Sequence, residues 1–267
     1  MERVVIADSW KQVLAENGLK TFKDFYYQDN KISINRNNRR KVSIIRLEGA
    51  DGKKFFLKQF RHSHFKDIIF AFMNTGKFLS QAAYEWNNLE ILAKNGIGAP
   101  TPVAYGEQFR LGLERKSFII TEELSGQCLS DFVTENWDKL PIFEKEKIIT
   151  SLAREIKKIH NTEISLPDLY VWHIFISEEN INGERTYKFA FIDLNRMKRN
   201  MWNKNEKVEN LGRLHHSMLE KYFDKSLRRL LIETYAEGMN TEGIEKLIRN
   251  VKKFSKKYSA RRTVKQY

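Results

Sequence analysis

Residues 166–176 have the sequence LPDLYVWHIFI, in which a loop leads directly into an apolar run, Ile174–Ile176. The loop holds two chemistry-bearing side chains, Asp168 and His173, which lie five positions apart. Pro167-Asp168 is also a common turn dipeptide, and a histidine beside an apolar strand is often a packed core residue. These residues alone support a catalytic and a structural interpretation about equally, so other segments must distinguish between them.

Two other segments place charged side chains at apolar strands. In residues 189–195, FAFIDLN, Asp193 ends an apolar run that follows the loop after one predicted hairpin. Lys58 lies in the predicted strand 54–60, on a face shared with two phenylalanines, and a lysine there needs an anion. The next predicted helix carries Glu85, which can pair with Lys58 and hold its ammonium for a nucleotide phosphate. Taken singly, Asp193 is equally a capping residue and Lys58 a lysine at a sheet edge.

Together these residues follow the order of the phosphoryl-transfer machinery in protein kinases. There a strand lysine pairs with a helix glutamate, a loop aspartate precedes a metal-binding asparagine by five residues, and a second aspartate ends a later strand. Lys58, Glu85, Asp168, His173 and Asp193 occur in that order on elements of the same types. The combination favours a kinase fold over chance, although a histidine replaces the asparagine.

The periodicity of apolar residues divides the chain into a strand-rich part and a helical part. The first part is predicted to hold five strands and one helix, at 32–34, 42–47, 54–60, 80–95 (the helix), 103–105 and 117–121. The second part is predicted to hold helices at 143–160, 206–219, 226–237 and in the tail, with a hairpin at 174–176 and 187–192. We therefore predict an α+β, bilobal protein-kinase-like fold, with a strand-rich N-lobe over 1–124 and a helical C-lobe over 125–267.

Composition limits the classes of protein to which the chain can belong. Its 267 residues, 41% of them hydrophobic, suffice for a sizeable core and exclude a disordered tail protein. Its single cysteine, Cys128, allows no internal disulfide and fits a reducing compartment. Residues 1–12 lack the apolar core of a signal peptide, and no apolar run approaches the roughly 20 residues of a membrane-spanning helix, so we expect a cytoplasmic protein. The formal charge of +13 favours anionic partners.

Six runs extend these signals over most of the chain: FFLK at 55–58, EWNNL at 85–89, APTPVAYGE at 99–107, SFIITEEL at 117–124, DLYVWHIF at 168–175 and IDLNR at 192–196. With them the chain resembles the lipopolysaccharide kinase family, the heptose and Kdo kinases of the bacterial lipopolysaccharide inner core. The resemblance extends from about residue 31 to residue 219, and the loop at His173 is more like that of heptose kinases than that of protein kinases. It implies a protein-kinase-like fold, ATP and Mg²⁺ as cofactors, and a core sugar hydroxyl, most of all that of a heptose, as acceptor.

For catalysis, the resemblance implies that Asp168 accepts the proton of the acceptor hydroxyl and that His173 and Asp193 hold magnesium. Asn195 stands where protein kinases have glycine, which leaves a pseudokinase as an alternative. The segment 196–207 is too short for a regulated activation loop with a peptide shelf, so a protein substrate is disfavoured.

For the nucleotide, the resemblance implies that Lys58 touches the phosphates and that Glu85 positions Lys58. The backbone of Glu122 to Leu124 is expected to meet the adenine, because this segment links the two predicted lobes as a kinase hinge does. No Gly-x-Gly-x-x-Gly motif occurs in the first turn, where residues 35–40 have the sequence NRNNRR. The phosphates are then contacted by side chains or by a turn of different shape.

The expected partner is the lipopolysaccharide core or its lipid-anchored precursor, and an anionic membrane surface is a further candidate. Residues 246–267 are rich in lysine and arginine and contain no acid, while Phe65–Phe78 carries an apolar stripe at helical spacing. For the basic tail, membrane contact and a solvated helix face remain open. For the apolar stripe, membrane contact and packing within the N-lobe remain open.

Two other functions remain open on the sequence alone. A small-molecule kinase of the aminoglycoside or choline type has the same two-lobe plan, but its acceptors are usually cationic, and the +13 charge argues against them. A basic pseudokinase or nucleic-acid-binding module is the other, although no nucleic-acid partner is expected.

Several basic and histidine side chains also have more than one interpretation. Arg196, with Lys198 and Arg199, either meets acceptor phosphates or carboxylates or belongs to a plain basic loop. Two histidine pairs lack carboxylate or cysteine neighbours at ligand spacing and are interpreted as surface or packing residues: His62 with His64, and His215 with His216.

Overall fold

The computed structural model describes residues 1–28, 31–36, 39–61, 65–201, 203 and 205–267. Part of the predicted first turn, at 37–38, and the first histidine pair, His62 with His64, lie outside the described residues. The chain separates into two compact units, one formed by residues 1–94 and 99–124, the other by residues 95–98 and 125–267.

The first unit is built on one antiparallel sheet. Its strands are β1 (Glu2–Ile6), β2 (Ile32–Arg36), β3 (Arg40–Arg46), β4 (Lys54–Arg61), β5 (Pro102–Arg110) and β6 (Leu113–Glu122), in the order β1-β5-β6-β4-β3-β2. Strand β4 pairs with β3 on one side and β6 on the other, which places Lys58 opposite Val42 and Ile119. Because both edges of β4 are hydrogen-bonded, the backbone that carries Lys58 is fixed.

The first unit contains more elements than its sequence pattern predicts. Its helices are α1 (Lys11–Glu16), α2 (Phe22–Tyr27), α3 (Phe65–Thr75) and α4 (Gln81–Lys94). The predicted helix at 80–95 is confirmed as α4, whereas β1, α1 and α2 precede every element that we predicted. Helix α2 covers the sheet with Phe22 and Phe25, whose rings lie 5.5 and 5.0 Å from that of Phe118. The N-terminal segment is therefore part of the core of this unit.

The second unit is mainly helical. Its helices are α5 (Leu129–Asn136), α6 (Ile142–Asn161), α7 (Glu206–Ser217), α8 (Lys225–Tyr235) and α9 (Thr241–Ser259). A small sheet, formed by β7 (Gln127–Cys128), β8 (Ile174–Ile181) and β9 (Glu184–Phe191), includes the predicted hairpin. Helix α7 packs on α9, where His215 and His216 share hydrogen bonds with Ser255 and Ser259. The α+β fold class is confirmed, with strands dominating the first unit and helices the second.

Two glycines let neighbouring backbones approach the β8–β9 hairpin. A Cβ atom on Gly98 would lie 2.2 Å from the carbonyl oxygen of Phe189, and the Gly98 carbonyl accepts a 2.9 Å hydrogen bond from the Phe191 amide. A Cβ atom on Gly126, whose φ is +81°, would lie 2.1 Å from the carbonyl oxygen of Ile176. Only glycine permits both approaches, which hold the hairpin that leads to Asp193.

None of the helices in the described residues combines enough length and apolar character to cross a lipid bilayer. The segment 65–78, which carries the apolar stripe, contains α3 and the three residues after it, and Ala71 in this helix is buried. Four large apolar side chains in and after this helix are exposed: Ile69, Phe72, Met73 and Phe78. Packing within the unit therefore accounts for only part of the stripe.

Candidate active site

In the first unit, Lys58 and Glu85 form an ion pair between the centre of the sheet and helix α4. The Lys58 ammonium contacts Oε1 of Glu85, and the two side chains are 13% and 3% exposed. No donor in the described part of the chain reaches the other oxygen, Oε2. A buried carboxylate is costly unless it is paired, so Glu85 depends on Lys58 and fixes the position of its ammonium.

The end of β6 and the two residues after it, Glu123 and Leu124, are held by side-chain and backbone contacts. Glu122 accepts a 3.1 Å hydrogen bond from the indole Nε1 of Trp10 and pairs with Lys53 at 3.6 Å. The amide of Glu123 donates to the carbonyl of Lys54, and Leu124, the last residue of the first unit, is half-buried. Trp10 thus positions the predicted adenine-binding segment. Sequence periodicity missed this residue because it lies in a short helical turn before α1.

In the second unit, the loop between α6 and β8 holds Asp168 and His173 in contact. Nδ1 of His173 lies 2.9 Å from the backbone carbonyl oxygen of Asp168. A carbonyl oxygen can only accept, so Nδ1 carries a hydrogen and donates it, and in the neutral imidazole the lone pair is then on Nε2. That Nε2 lies 3.8 Å from Oδ2 of Asp193, so the structure brings together all three predicted residues of this unit.

Asp193, which follows β9 after Ile192, occupies an unusual backbone conformation. Its φ and ψ are 60° and 57°, in the left-handed region, which aspartate and asparagine tolerate better than most residues. The Nδ2 of Asn195 donates a 3.3 Å hydrogen bond to Oδ1 of Asp193. The chain therefore turns sharply here and directs the Asp193 carboxylate back toward the loop.

Arg196 contacts Asp168, which the sequence did not predict. Its Nε donates a 2.6 Å hydrogen bond to Oδ2 of Asp168, and its Nη2 donates to Oδ1. The hydrogen bond to Asp168 raises the pKa of the Arg196 guanidinium above its usual value. Neither Arg196 nor Lys198 is a free basic group, since Lys198 pairs with Glu206 at 3.0 Å.

A buried polar cluster anchors the start of the loop. Oδ1 of Asn210 in α7 accepts hydrogen bonds from the Leu166 amide at 2.6 Å, from Ser165 Oγ at 3.3 Å and from Nε2 of His160 at 3.3 Å. Burial lowers the pKa of His160 to about 4, so this imidazole is neutral near pH 7. Its other nitrogen, Nδ1, then accepts the hydroxyl hydrogen of Tyr235 at 2.9 Å. The sequence placed His160 at the end of a helix but could not show that Asn210 reaches it.

The residues around Asp193 suit a magnesium ion that is bound to nucleotide phosphates. They suit an ion held by protein ligands alone less well. No group of three or more His, Cys, Asp or Glu residues suited to a metal occurs in the described chain. Magnesium prefers oxygen and usually binds one or two carboxylates together with substrate phosphates and water. Asp193 supplies a carboxylate, and the buried Oδ1 of Asn195 receives no hydrogen bond from the described residues. His173 offers nitrogen, a poorer ligand for this ion.

The curated relatives that the chain matches include proteins from two species that are named "Lipopolysaccharide core heptose(I) kinase WaaP". The relative from Escherichia coli is 30% identical over 154 residues, and the match covers 57% of this chain and 58% of that protein's length. The chain thus spans less than two thirds of that relative. The relative from Pseudomonas aeruginosa is 24% identical over 236 residues, covering 87% of this chain and 86% of its own length.

A solved structure and a family model extend the likeness to nearly the whole chain. The structure titled "WaaP in complex with acyl carrier protein" superposes with a TM-score of 0.69 at 20% identity, over 94% of this chain and 99% of that one. This likeness confirms the predicted kinase-like fold. The model of the lipopolysaccharide kinase (Kdo/WaaP) family matches residues 25–235. The chain therefore belongs to the lipopolysaccharide kinase (Kdo/WaaP) family.

Proposed function

We propose that this protein is an ATP-dependent kinase that phosphorylates a sugar hydroxyl, that of a heptose, in the lipopolysaccharide inner core. Family membership supports the reaction class, and the names of both curated relatives support the heptose acceptor. The observation that carries the proposal is the arrangement of Asp168, His173 and Asp193 within one hydrogen-bonded loop and turn. Kinases use one aspartate as base and a second to hold magnesium, and His173 stands where protein kinases have a metal-binding asparagine.

In the proposed reaction, Asp168 is the base. It accepts the proton of the sugar hydroxyl as that oxygen forms a bond to the γ-phosphorus of ATP and the bond from phosphorus to ADP breaks. Asp193 and His173 would hold Mg²⁺, which would neutralise negative charge on the phosphates. The loop contributes mainly position, because phosphoryl transfer depends on the alignment of attacking and leaving oxygens.

For nucleotide binding, we propose that Lys58 contacts the ATP phosphates and that Glu85 keeps its ammonium in place. The ion pair in the centre of the sheet supports this role, since the Glu85 carboxylate is otherwise an isolated buried charge. The backbone of Glu122 to Leu124 is proposed to bind the adenine. Its support is the fixed geometry of this segment, which Trp10 and Lys53 hold through the side chain of Glu122.

Replacing Glu85 by glutamine is expected to weaken ATP binding by about tenfold or more, because Lys58 loses the charge that positions it. The measurement is the rise in melting temperature as ATP is titrated with and without magnesium, since a ligand that binds only the folded state stabilises it. The matched control is Glu237→Gln, which removes the carboxylate of an exposed ion pair with Arg154.

An ATP-dependent rise that is the same in wild type, Glu85→Gln and Glu237→Gln would remove the proposed role of the ion pair. If ATP does not stabilise the wild-type protein at all, the kinase proposal itself is wrong. A salt-dependent mobility shift with nucleic acid then supports the basic binding module.

We further propose that the protein works at the cytoplasmic face of the inner membrane, where a lipid-anchored lipopolysaccharide precursor is accessible. Helix α3 and the residues after it expose Phe72, Met73 and Phe78, and the Phe72 and Phe78 rings stack at 4.6 Å. Lys66 and Lys77, in the same stretch of sequence, are also exposed. Apolar side chains beside lysines are typical of segments that lie on anionic bilayers.

Replacing Phe72 and Phe78 together by serine is expected to release the protein from vesicles that contain an anionic phospholipid. Both side chains are exposed, so the fold should be retained and only the apolar contribution to membrane binding removed. Flotation of the protein with such vesicles measures the effect, and Phe143→Ser, at an exposed position of α6, is the matched control. Equal flotation of the double variant and the wild type would exclude this surface as the membrane contact.

A further inference from the structure

Arg196 and Asp168 meet through two parallel hydrogen bonds. The Nε and Nη2 atoms of Arg196 each face a different carboxylate oxygen of Asp168, with the Nε distance at 2.6 Å. The Asp168 side chain is 12% exposed and that of Arg196 is 55% exposed. A planar guanidinium matched to a planar carboxylate fixes both the place and the rotation of the acid, which a single charge does not.

The backbone sets the approach of Arg196 to Asp168. Arg196 ends the short helical turn Leu194–Arg196, which begins directly after Asp193. Two residues after Arg196, Lys198 exchanges two backbone hydrogen bonds with Ser165, at 2.9 and 3.0 Å. These bonds hold the loop that carries Asp168 next to the turn that carries Arg196. The acid and the arginine are therefore placed by the same pair of segments.

The contact leaves Asp168 able to act as a base. An ionised carboxylate offers about four lone-pair positions, and the guanidinium occupies two of them. Within the described residues only Arg196 donates to this carboxylate, so the remaining positions can accept the hydrogen of an acceptor hydroxyl. Because the contact raises the pKa of Arg196, the guanidinium does not supply a proton to Asp168. In the proposed reaction, the proton that Asp168 takes up comes from the hydroxyl.

We infer that Arg196 is a positioning residue that orients the carboxylate of Asp168 toward the acceptor hydroxyl, an inference that rests on the proposed kinase function. The segment from Asp193 to Arg196 thereby serves two purposes in the proposed reaction. Asp193 would hold the metal ion of the nucleotide, and Arg196 fixes the base. Arg196 acts through Asp168, so its removal should change turnover and leave nucleotide binding almost intact.

The test uses Arg196→Ala and Arg196→Lys in the full-length protein, with Arg154→Ala as the control. Arg154 also pairs with a carboxylate, that of Glu237, but on the exposed surface of α6. We expect Arg196→Ala to lower kcat by about 10- to 100-fold, the size of effect that follows from misplacing a catalytic group, with KM for ATP nearly unchanged. Arg196→Lys should lose less activity, because lysine keeps the positive charge although it lacks the two parallel donors of the guanidinium.

Chemical rescue separates positioning from a general structural role. Arg196 is largely exposed, so methylguanidinium can enter the space that Arg196→Ala leaves. We expect added methylguanidinium to restore part of the lost kcat in Arg196→Ala and to have no effect on the Arg154→Ala control. Unchanged or increased kcat in Arg196→Ala, or a loss without any rescue, would overturn the inference.

Amide hydrogen exchange of residues 166–173 provides a readout that needs no activity. We expect faster exchange in Arg196→Ala than in wild type, because the loop loses its contact with the turn. If wild type transfers no phosphate, the proposed function fails, and exchange alone still decides the inference about the contact. Identical exchange in the two proteins would then contradict it.

Discussion

Replacing Asp168 by asparagine is expected to lower kcat for phosphate transfer by about 10² to 10⁴, the range that general base catalysis contributes. Asparagine has the same shape as aspartate but cannot take up the hydroxyl proton. The backbone carbonyl of residue 168, which accepts from Nδ1 of His173, is unchanged by this substitution, so the loop should keep its fold. Steady-state kinetics with ATP and a phosphate-free core acceptor measure the effect.

The control for this variant is Asp131→Asn, at an exposed position of α5 in the same unit. We expect the control to retain wild-type turnover and Asp168→Asn to retain the ATP-dependent rise in melting temperature. Turnover within a few-fold of wild type in Asp168→Asn would show that another group accepts the proton. Adding Arg196→Ala to Asp168→Asn should cost little more, because the two residues act as a unit.

Replacing Asp193 by asparagine is expected to reduce turnover by about 10³ or more, since metal-ion stabilisation of phosphoryl transfer amounts to several kcal/mol and each ~1.4 kcal/mol is a factor of ten. Asparagine tolerates the left-handed backbone conformation at this position, so the turn should form without strain. The substitution removes the carboxylate oxygen that magnesium prefers and leaves an amide.

The distinguishing measurement for Asp193→Asn is the effect of magnesium on nucleotide binding. In wild type, we expect magnesium to increase the stabilisation by ATP. In the Asp193→Asn variant that increase should be lost. The control variant Asp131→Asn should show the same increase as wild type. A full magnesium effect in Asp193→Asn would assign the metal to other ligands.

The long, strongly periodic elements could be predicted from the sequence. The helix predicted at 143–160 is observed as Ile142–Asn161, because its apolar stripe recurs at helical spacing and all of it is buried. The N-terminal β1, α1 and α2 were missed. Each of them has only five or six residues, too few for a period to stand out, and their stability comes from tertiary packing such as that of Phe25 on Phe118.

The candidate site could be predicted only where two residues are so close in the sequence that one loop brings them together. Asp168 and His173 lie five residues apart in one loop, and that loop brings them into contact. Arg196 lies 28 residues from Asp168, and Asn210 lies 44 residues from Leu166, so neither contact follows from a local pattern. The fold of the second unit creates both contacts, through the Ser165–Lys198 backbone pair and the packing of α6 on α8 and of α7 on α9.

The most direct test of the proposed function is mass spectrometry of phosphate-free lipopolysaccharide core after incubation with the purified protein, ATP and magnesium. Parallel reactions contain Asp168→Asn or omit ATP. The proposal predicts that the wild-type protein adds the mass of one phosphate to a heptose, that fragmentation locates it on that sugar, and that neither parallel reaction does so. No added phosphate with a protein that binds ATP, or equal addition by Asp168→Asn, would contradict it.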